Sequence, residues 1–278
     1  MHAIPLQSIK KQVQNALTED IGSGDITAAL IHENEIVNAK IISREDGVLC
    51  GCEWVNQAFL LLDDSIKIEW NVADGAHVKA SQELCTIHGN ARHMLTAERT
   101  ALNFLQTLSG TATVTSHYVS AIADSNVKIL DTRKTIPGLR LAQKYAVSCG
   151  GGTNHRIGLY DGILIKENHI AAAGSITNAV NQAKQFATDG IPVEIEVETL
   201  NDVAEALAAG ADILLLDNMD IATINKAVKM NQGQAKLEIS GGVTMDGLKQ
   251  LAQTKVDYIS IGALTKKIEP LDLSLLII

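Results

Sequence analysis

The chain has 278 residues, 46% hydrophobic and 20% charged, a balance that supports a folded protein with a sizeable core and excludes long disorder. Its formal charge of −9 argues against nucleic acid or an anionic membrane surface as a general partner. No run of about 18 apolar residues is present to span a bilayer, and the opening MHAIPLQSIKK lacks the layout of a secretion signal.

Leu6, Ile9, Val13 and Leu17 recur at helical spacing and predict an amphipathic helix over 5–18, with Pro5 at its first turn. The segment Glu19-Asp20-Ile21-Gly22-Ser23-Gly24-Asp25-Ile26-Thr27 predicts a tight polar turn, whose acids either take a metal or serve the loop alone. Residues 36–50 and 66–72 alternate and carry β-branched side chains, so both predict strands. A helix carrying Trp54, Ala58, Leu61 and Leu62 is expected between them. Asp74–Lys79 and Leu84–Gly89 are similar in layout to half of a biotinyl or lipoyl carrier, but no hairpin lysine follows, and a small sheet without a cofactor is expected. The four cysteines, Cys50, Cys52, Cys85 and Cys149, contain no C-x-x-C pair and are expected as free thiols in a reducing cytosol.

Thr96 is a candidate N-cap for the helix AERTALNFLQTL. Arg99 then falls in a first turn, where the helix dipole disfavours a cation, and on its own it reads as a solvated residue. Gly110 breaks the pattern, and a second helix is expected over Thr111–Ala123. From residue 127 the rhythm changes to strands VKILD, GILIK, VEIEVE, DILLLD, KLEIS and YISIG alternating with helical segments, which predicts a parallel sheet with helices outside. About 140 residues is short for an eight-fold barrel of ~250, so an incomplete barrel or open sheet is expected. The tail after Pro270, LDLSLLII, is apolar enough to require burial, on the first domain or on a partner chain.

Ligands of parallel α/β folds lie at the carboxyl ends of the strands. Found there are Asp131, Arg133, Lys134, Lys166, Glu196, Glu198, Asp217, Asn218, Ser240-Gly241-Gly242 and Gly262. Period two in VEIEVE sets Glu194, Glu196 and Glu198 on one face, with Ile195 and Val197 on the other. Three inward carboxylates demand cations, from lysine, arginine or a metal. Arg133 and Arg156 offer planar forks for carboxylate or phosphate, and Lys134 and Lys166 offer point charges. The turns Ser240-Gly241-Gly242 and Ile261-Gly262-Ala263, one βα unit apart, suit a phosphate held by backbone N–H groups.

These residues resemble a family. Asp131-Thr132-Arg133-Lys134-Thr135, Pro137-Gly138-Leu139-Arg140, Lys144-Tyr145-Ala146-Val147, Gly150-Gly151-Gly152, Asn154-His155-Arg156 and Leu164-Ile165-Lys166-Glu167-Asn168-His169 are similar to the quinolinate phosphoribosyltransferases. The likeness extends to Glu19-Asp20, Gly24-Asp25, Ala97–Asn103, Leu215–Asn218 and Ser240–Gly242. It implies an α/β protein, with an N-terminal α/β sandwich-like domain over 1–110 and the tail 266–278 packed back on it. An incomplete, TIM-like α/β barrel over 111–265 follows, the catalytic domain.

The implied reaction is phosphoribosyl transfer from phosphoribosyl pyrophosphate to quinolinate with decarboxylation, a pentosyl transfer of NAD biosynthesis, with Mg2+. The resemblance further implies a cytoplasmic homodimer in which Arg99 crosses to the partner's site. Arg133, His155 and Arg156 would grip the quinolinate carboxylates, and Thr132 would also bind substrate. Lys134 and Lys166 would bind the phosphoribosyl pyrophosphate end. Glu196 and Asp217 would hold the ribose and the metal, and Ser240, Gly241, Gly242, Ile261, Gly262 and Ala263 the 5′-phosphate. Lys134, Lys166, Glu196 and Asp217 are the expected catalytic set. Alternatives on the same residues are a Schiff-base enzyme using Lys166, a non-catalytic phosphate sensor, and a transferase with another nitrogenous acceptor.

Overall fold

The computed structural model describes residues 4–187 and 190–278. Helix α1 (Leu6–Ile21) leads through a 3-10 turn at Thr27–Leu30 to strands β1 (Ile36–Ser43) and β2 (Gly47–Val48). Helix α2 (Cys52–Leu60), strands β3 (Lys67–Trp70), β4 (His77–Val78) and β5 (Glu83–Asn90), and the long helix α3 (Ala91–Ala121) follow. Next come β6 (Lys128–Leu130), α4 (Arg140–Cys149), β7 (Ile163–Ile165), α5 (Glu167–Ala173), α6 (Ile176–Phe186) and β8 (Val193–Val197). The chain continues with α7 (Leu200–Ala208), β9 (Ile213–Asp217), α8 (Ile221–Asn231), β10 (Lys236–Ser240) and α9 (Met245–Ala252). It closes with β11 (Tyr258–Ser260), α10 (Ala263–Lys266) and β12 (Leu273–Ile277). None of the described helices is long and apolar enough to cross a membrane.

Two compact units share these elements. One takes the residues up to Ser116 together with Thr135–Gly151 and Leu264–Ile278; the other takes His117–Lys134 and Gly152–Ala263.

In the first unit an antiparallel sheet runs β12-β1-β5-β3. Ala39 and Ile41 of β1 are fully buried at alternate positions, as a strand with one core face requires. The apolar tail is a sheet strand, β12, registered from Ala39↔Ile277 to Ser43↔Leu273. The strand expected over 36–50 stops at Ser43, because Arg44 N–H turns to Asp272 O at 2.8 Å and a new pair, β2 with β4, begins at Gly47. Thr135–Gly151 falls in this unit, not in the barrel half. Helix α4 buries Ala142, Ala146 and Cys149 in the same core as Trp54 and Leu105, while Tyr145 OH donates to Asp74 at 2.9 Å. Among the described residues the four cysteines form no disulfide, and burial pushes the Cys85 thiol up to about 12.

Helix α3 corrects the reading of residues 96–123. Its start is set by Asn90, whose Oδ1 accepts the N–H groups of Arg92 and His93, the usual work of an N-cap. Thr96 lies inside the helix, and its hydroxyl donates to Asp25 Oδ2 at 2.8 Å. Asp25 Oδ1 accepts the N–H groups of Thr27 and Ala28, so this acid of the polar loop braces the 3-10 turn. Arg99 is therefore beyond the first turn, and the dipole penalty does not apply. Nor does Gly110 end the helix. A Cβ there would lie 2.1 Å from the carbonyl oxygen of Glu269, so glycine is required by the passing backbone.

The second unit carries a six-stranded parallel sheet in the order β6-β11-β10-β9-β8-β7. Its amphipathic helices turn Ile176 and Val180 (α6), Val203 and Ala206 (α7), Ile224 and Ala227 (α8), and Leu248 and Ala252 (α9) inward. Ser175, Thr199 and Asp220 cap α6, α7 and α8 with their side chains, so helices begin shortly after strands end. The sheet ends at β6 on one side and β7 on the other, which makes it an incomplete α/β barrel. Leu130 at the β6 edge forms a parallel bridge with Thr153.

Alanine in a helix interior normally stabilises relative to glycine by about 1 kcal/mol. Gly110→Ala is expected to do the reverse, lowering stability by roughly 1–3 kcal/mol through overpacking against residue 269, as read by urea unfolding.

Candidate active site

The site is built from the carboxyl end of β6 outward. Asp131, the first residue past the strand, is fully buried. Its Oδ2 accepts from Asn154 Nδ2 at 2.7 Å and its Oδ1 from the His155 N–H at 2.9 Å. Thr153 N–H donates to Ile129 O and Thr153 O accepts from the Asp131 N–H, so backbone and side chain hold residues 153–155 against the strand. A carboxylate used in this way is a brace. It determines where Arg156 starts.

Arg156 donates from Nη1 to Gly162 O at 3.2 Å. Burial, and then the like charge of Arg133, hold its guanidinium below the usual arginine range, while Glu194 and Asp161 oppose the shift. Two arginines close enough to repel each other, partly shielded from water, form a strong anion locus. Thr132 and Lys134 lie at the turn after β11: a Cβ on Gly262 would sit 3.1 Å from Lys134 Cδ and 3.5 Å from Thr132 Oγ1. The Thr132 hydroxyl accepts the Lys134 N–H at 3.0 Å, which shapes this loop. The expected cations after β6 and the glycine turn at 261–263 are thus brought together.

Across the sheet, Lys166 N–H donates to His169 Nδ1 at 3.0 Å as α5 begins, and the Lys166 ammonium pairs with Glu196. Asp217 accepts from Asn218 Nδ2 at 2.7 Å. Asn218 adopts a left-handed conformation at φ 52°, and its N–H donates to Ser240 O at 3.2 Å. Gly241, at φ 92°, is where a Cβ would lie 2.1 Å from Asn218 Oδ1. The Ser240-Gly241-Gly242 turn and the Asp217-Asn218 pair therefore share one surface. The face of β8 carries two inward carboxylates, where three were expected. Glu194 and Glu196 turn in, but Glu198 lies past the strand, exposed, with its N–H donating to Asp202 at the start of α7.

The inward charge of β8 meets groups that the sequence reading did not connect. His155 Nε2 lies 3.0 Å from Glu194 Oε2 and 3.7 Å from Glu238 Oε2, and both carboxylates are buried. His155 Nδ1 accepts the Arg156 N–H at 2.7 Å. Both ring nitrogens thus have protein partners, and the ring faces the strand carboxylates. Burial, then the charge of Glu194, pushes the Glu238 carboxyl up to about 7, with His155 and Ser260 pulling the other way. Glu238 had one signal in the sequence, a lone acid inside the apolar KLEIS strand.

Arg99 belongs to the first unit. It lines a shallow hollow on α3 with Asp20, Asp25 and Ile26.

Comparison with known proteins adds a second line. Residues 25–109 match the model of the quinolinate phosphoribosyl transferase N-terminal domain and residues 111–276 that of the C-terminal domain. The chain is similar to a probable nicotinate-nucleotide pyrophosphorylase (carboxylating) of Bacillus subtilis, 42% identical over 96% of this chain and 92% of that one. A chloroplastic nicotinate-nucleotide pyrophosphorylase (carboxylating) of Arabidopsis thaliana is 40% identical over 98% of this chain and 83% of its own length. The solved nicotinate-nucleotide pyrophosphorylase of Francisella tularensis superposes with a TM-score of 0.96 at 47% identity, covering 99% of this chain and 98% of that one.

Asp131→Ala removes two charge-assisted hydrogen bonds from a buried brace. The expected loss is about 3 kcal/mol of stability in urea unfolding.

Proposed function

The chain belongs to the quinolinate phosphoribosyltransferase family, and on that premise we propose that it transfers phosphoribose from phosphoribosyl pyrophosphate to quinolinate with loss of CO2. Nicotinate mononucleotide and pyrophosphate are the other products, and the step feeds NAD synthesis. The observation that carries this reading to residues is the adjacency of Arg133 and Arg156, a doubled cation suited to a dicarboxylate.

In this reading Arg133, His155 and Arg156 hold the two carboxylates of quinolinate and orient the pyridine nitrogen. Thr132, Lys134 and the Ile261-Gly262-Ala263 turn take the phosphoribosyl pyrophosphate end, supported by the approach of Gly262 to Thr132 and Lys134. Ser240-Gly241-Gly242 share the 5′-phosphate with that turn. Lys166 serves the leaving pyrophosphate, while Glu196 and Asp217 face the ribose.

As the C1–O bond to pyrophosphate breaks, positive charge grows on the ribose, and fixed carboxylates lower its energy while lysines stabilise the departing anion. The pyridine nitrogen then bonds to C1. Its positive charge makes the ring an electron sink for the pair left when CO2 departs from the adjacent carbon, and a proton takes the vacated position. Positioning does most of this work, and no protein nucleophile is needed.

Mg2+ belongs to the proposal. Glu196 and Asp217 offer only carboxylate oxygens, the donor type that a hard divalent cation shares with substrate phosphates, and when bound it would supply charge to the pyrophosphate. The Schiff-base alternative is not favoured, because the Lys166 nitrogen is engaged by Glu196.

The proposed assembly is a homodimer in which Arg99 of the partner subunit completes the carboxylate clamp. It is supported by the exposed apolar Ile26 (90%) and Leu30 (85%) on the loop that Arg99 adjoins, surface more consistent with an interface than with water. A reducing cytosol is the proposed compartment, supported by four cysteines that form no disulfide among the described residues.

Incubation with quinolinate, phosphoribosyl pyrophosphate and Mg2+ is expected to yield nicotinate mononucleotide, and nicotinate in place of quinolinate is expected to give none. Arg133→Ala should lower kcat/KM for quinolinate by about 100-fold, as loss of a bidentate clamp predicts. Mixing Arg99→Ala with Arg133→Ala chains should restore about a quarter of the wild-type sites, because random two-fold pairing makes half the dimers hybrid with one intact site each. No recovery after subunit exchange would count against a shared site.

A further inference from the structure

We propose that Asp161 and Gly162 are positioning residues for quinolinate: Asp161 closes the turn over 157–161, and that turn sets Gly162 against the Arg156 side chain. The inference rests on the clamp assigned to Arg156 above.

The segment that carries Arg156 connects the two edge strands of the sheet. At one end Thr153 bridges Leu130 of β6, and the His155 N–H is held by Asp131. At the other end Ile163 opens β7 and registers with Val193 of β8. Between these anchors the Asp161 carboxylate accepts two backbone N–H groups, from Ile157 to Oδ2 at 2.8 Å and from Gly158 to Oδ1 at 2.9 Å. An aspartate used in this way folds the chain back on itself without strand or helix. Leu159 and Tyr160 at the tip are exposed, so hydrogen bonds rather than burial hold the turn.

Gly162 receives the arginine. Its carbonyl accepts from Arg156 Nη1 at 3.2 Å. A Cβ on Gly162 would lie 3.0 Å from Arg156 Cβ and 3.4 Å from Arg156 Cδ, so the aliphatic stem packs where a larger residue would project. The guanidinium needs this hold. Burial and the like charge of Arg133 both act against it, and Glu194 and Asp161 offset them. A long side chain left to itself would move away from Arg133, and ordering it again would cost affinity on each binding event.

The expected effect is confined to one substrate. Lys166, assigned to the phosphoribosyl pyrophosphate end, lies beyond β7 and is held by the sheet, by Glu196 and by His169. Lys134 follows β6. Neither depends on the Asp161 turn, so loosening the turn releases the carboxylate clamp and leaves the donor side in place.

Steady-state kinetics on the full chain test this. Asp161→Ala is expected to raise KM for quinolinate about tenfold, with KM for phosphoribosyl pyrophosphate unchanged within about twofold. Asp161→Asn, which keeps one acceptor oxygen, should recover part of that loss. Gly162→Ala should raise the quinolinate KM by displacing the arginine stem, and it decides the matter if Asp161→Ala does not fold. An unchanged quinolinate KM in both Asp161→Asn and Gly162→Ala would overturn the positioning role, as would an equal rise in both KM values. Backbone amide exchange at Ile157 and Gly158 should be slow in the wild type and fast in Asp161→Ala. Equal protection in the two proteins would overturn the turn itself, whatever the activity. A wild-type chain that turns over no quinolinate would instead sink the functional reading.

Discussion

The buried carboxylate of Asp131 is the constraint on which the rest of the site depends. A charge with no exposed surface must be matched by donors, and Asp131 takes them from a segment more than twenty residues further along the chain. That requirement draws Asn154 and His155 to the end of β6 and, with the Thr153 bridge, adds a short parallel ribbon at the open edge of the sheet. Arg156 follows immediately. Its place beside Arg133 is a consequence of the brace, since two guanidiniums would otherwise separate.

Charge in this site is arranged in depth. Arginines and lysines occupy the carboxyl ends of the strands, and Glu194 and Glu238 lie below them in the sheet interior. Such layering keeps the cations from repelling the fold apart, since each buried acid offsets part of the like charge above it. Glycine turns serve a different purpose. Gly241 and Gly262 let backbone pass close to Asn218 and to Lys134, which brings neighbouring strand ends within reach of one ligand.

Not all of this was legible in the residues taken alone. The βα rhythm, the arginines and lysines at strand ends and the two glycine turns are local signals, and each lies where its pattern indicates. The structure altered readings wherever a distant segment supplied the deciding contact. Gly110 resembles a helix breaker until residue 269 crosses it. Thr96 resembles an N-cap until Asn90 is seen capping the same helix one turn and a half earlier. Residues 140–149 lie inside the motif-rich stretch, yet their alanines pack in the first unit's core.

By itself the sequence determined the class of fold, the family and the chemical types available to the site, because hydrophobic period, strand-end charge and contiguous motifs are properties of short stretches. Tertiary structure decided what each charge does. Asp131 proved to be a brace, Glu198 a surface residue and His155 a partner of buried acids. Those roles depend on burial and on which donors lie within about 3 Å, and both are set only when strands remote in the chain come to lie side by side.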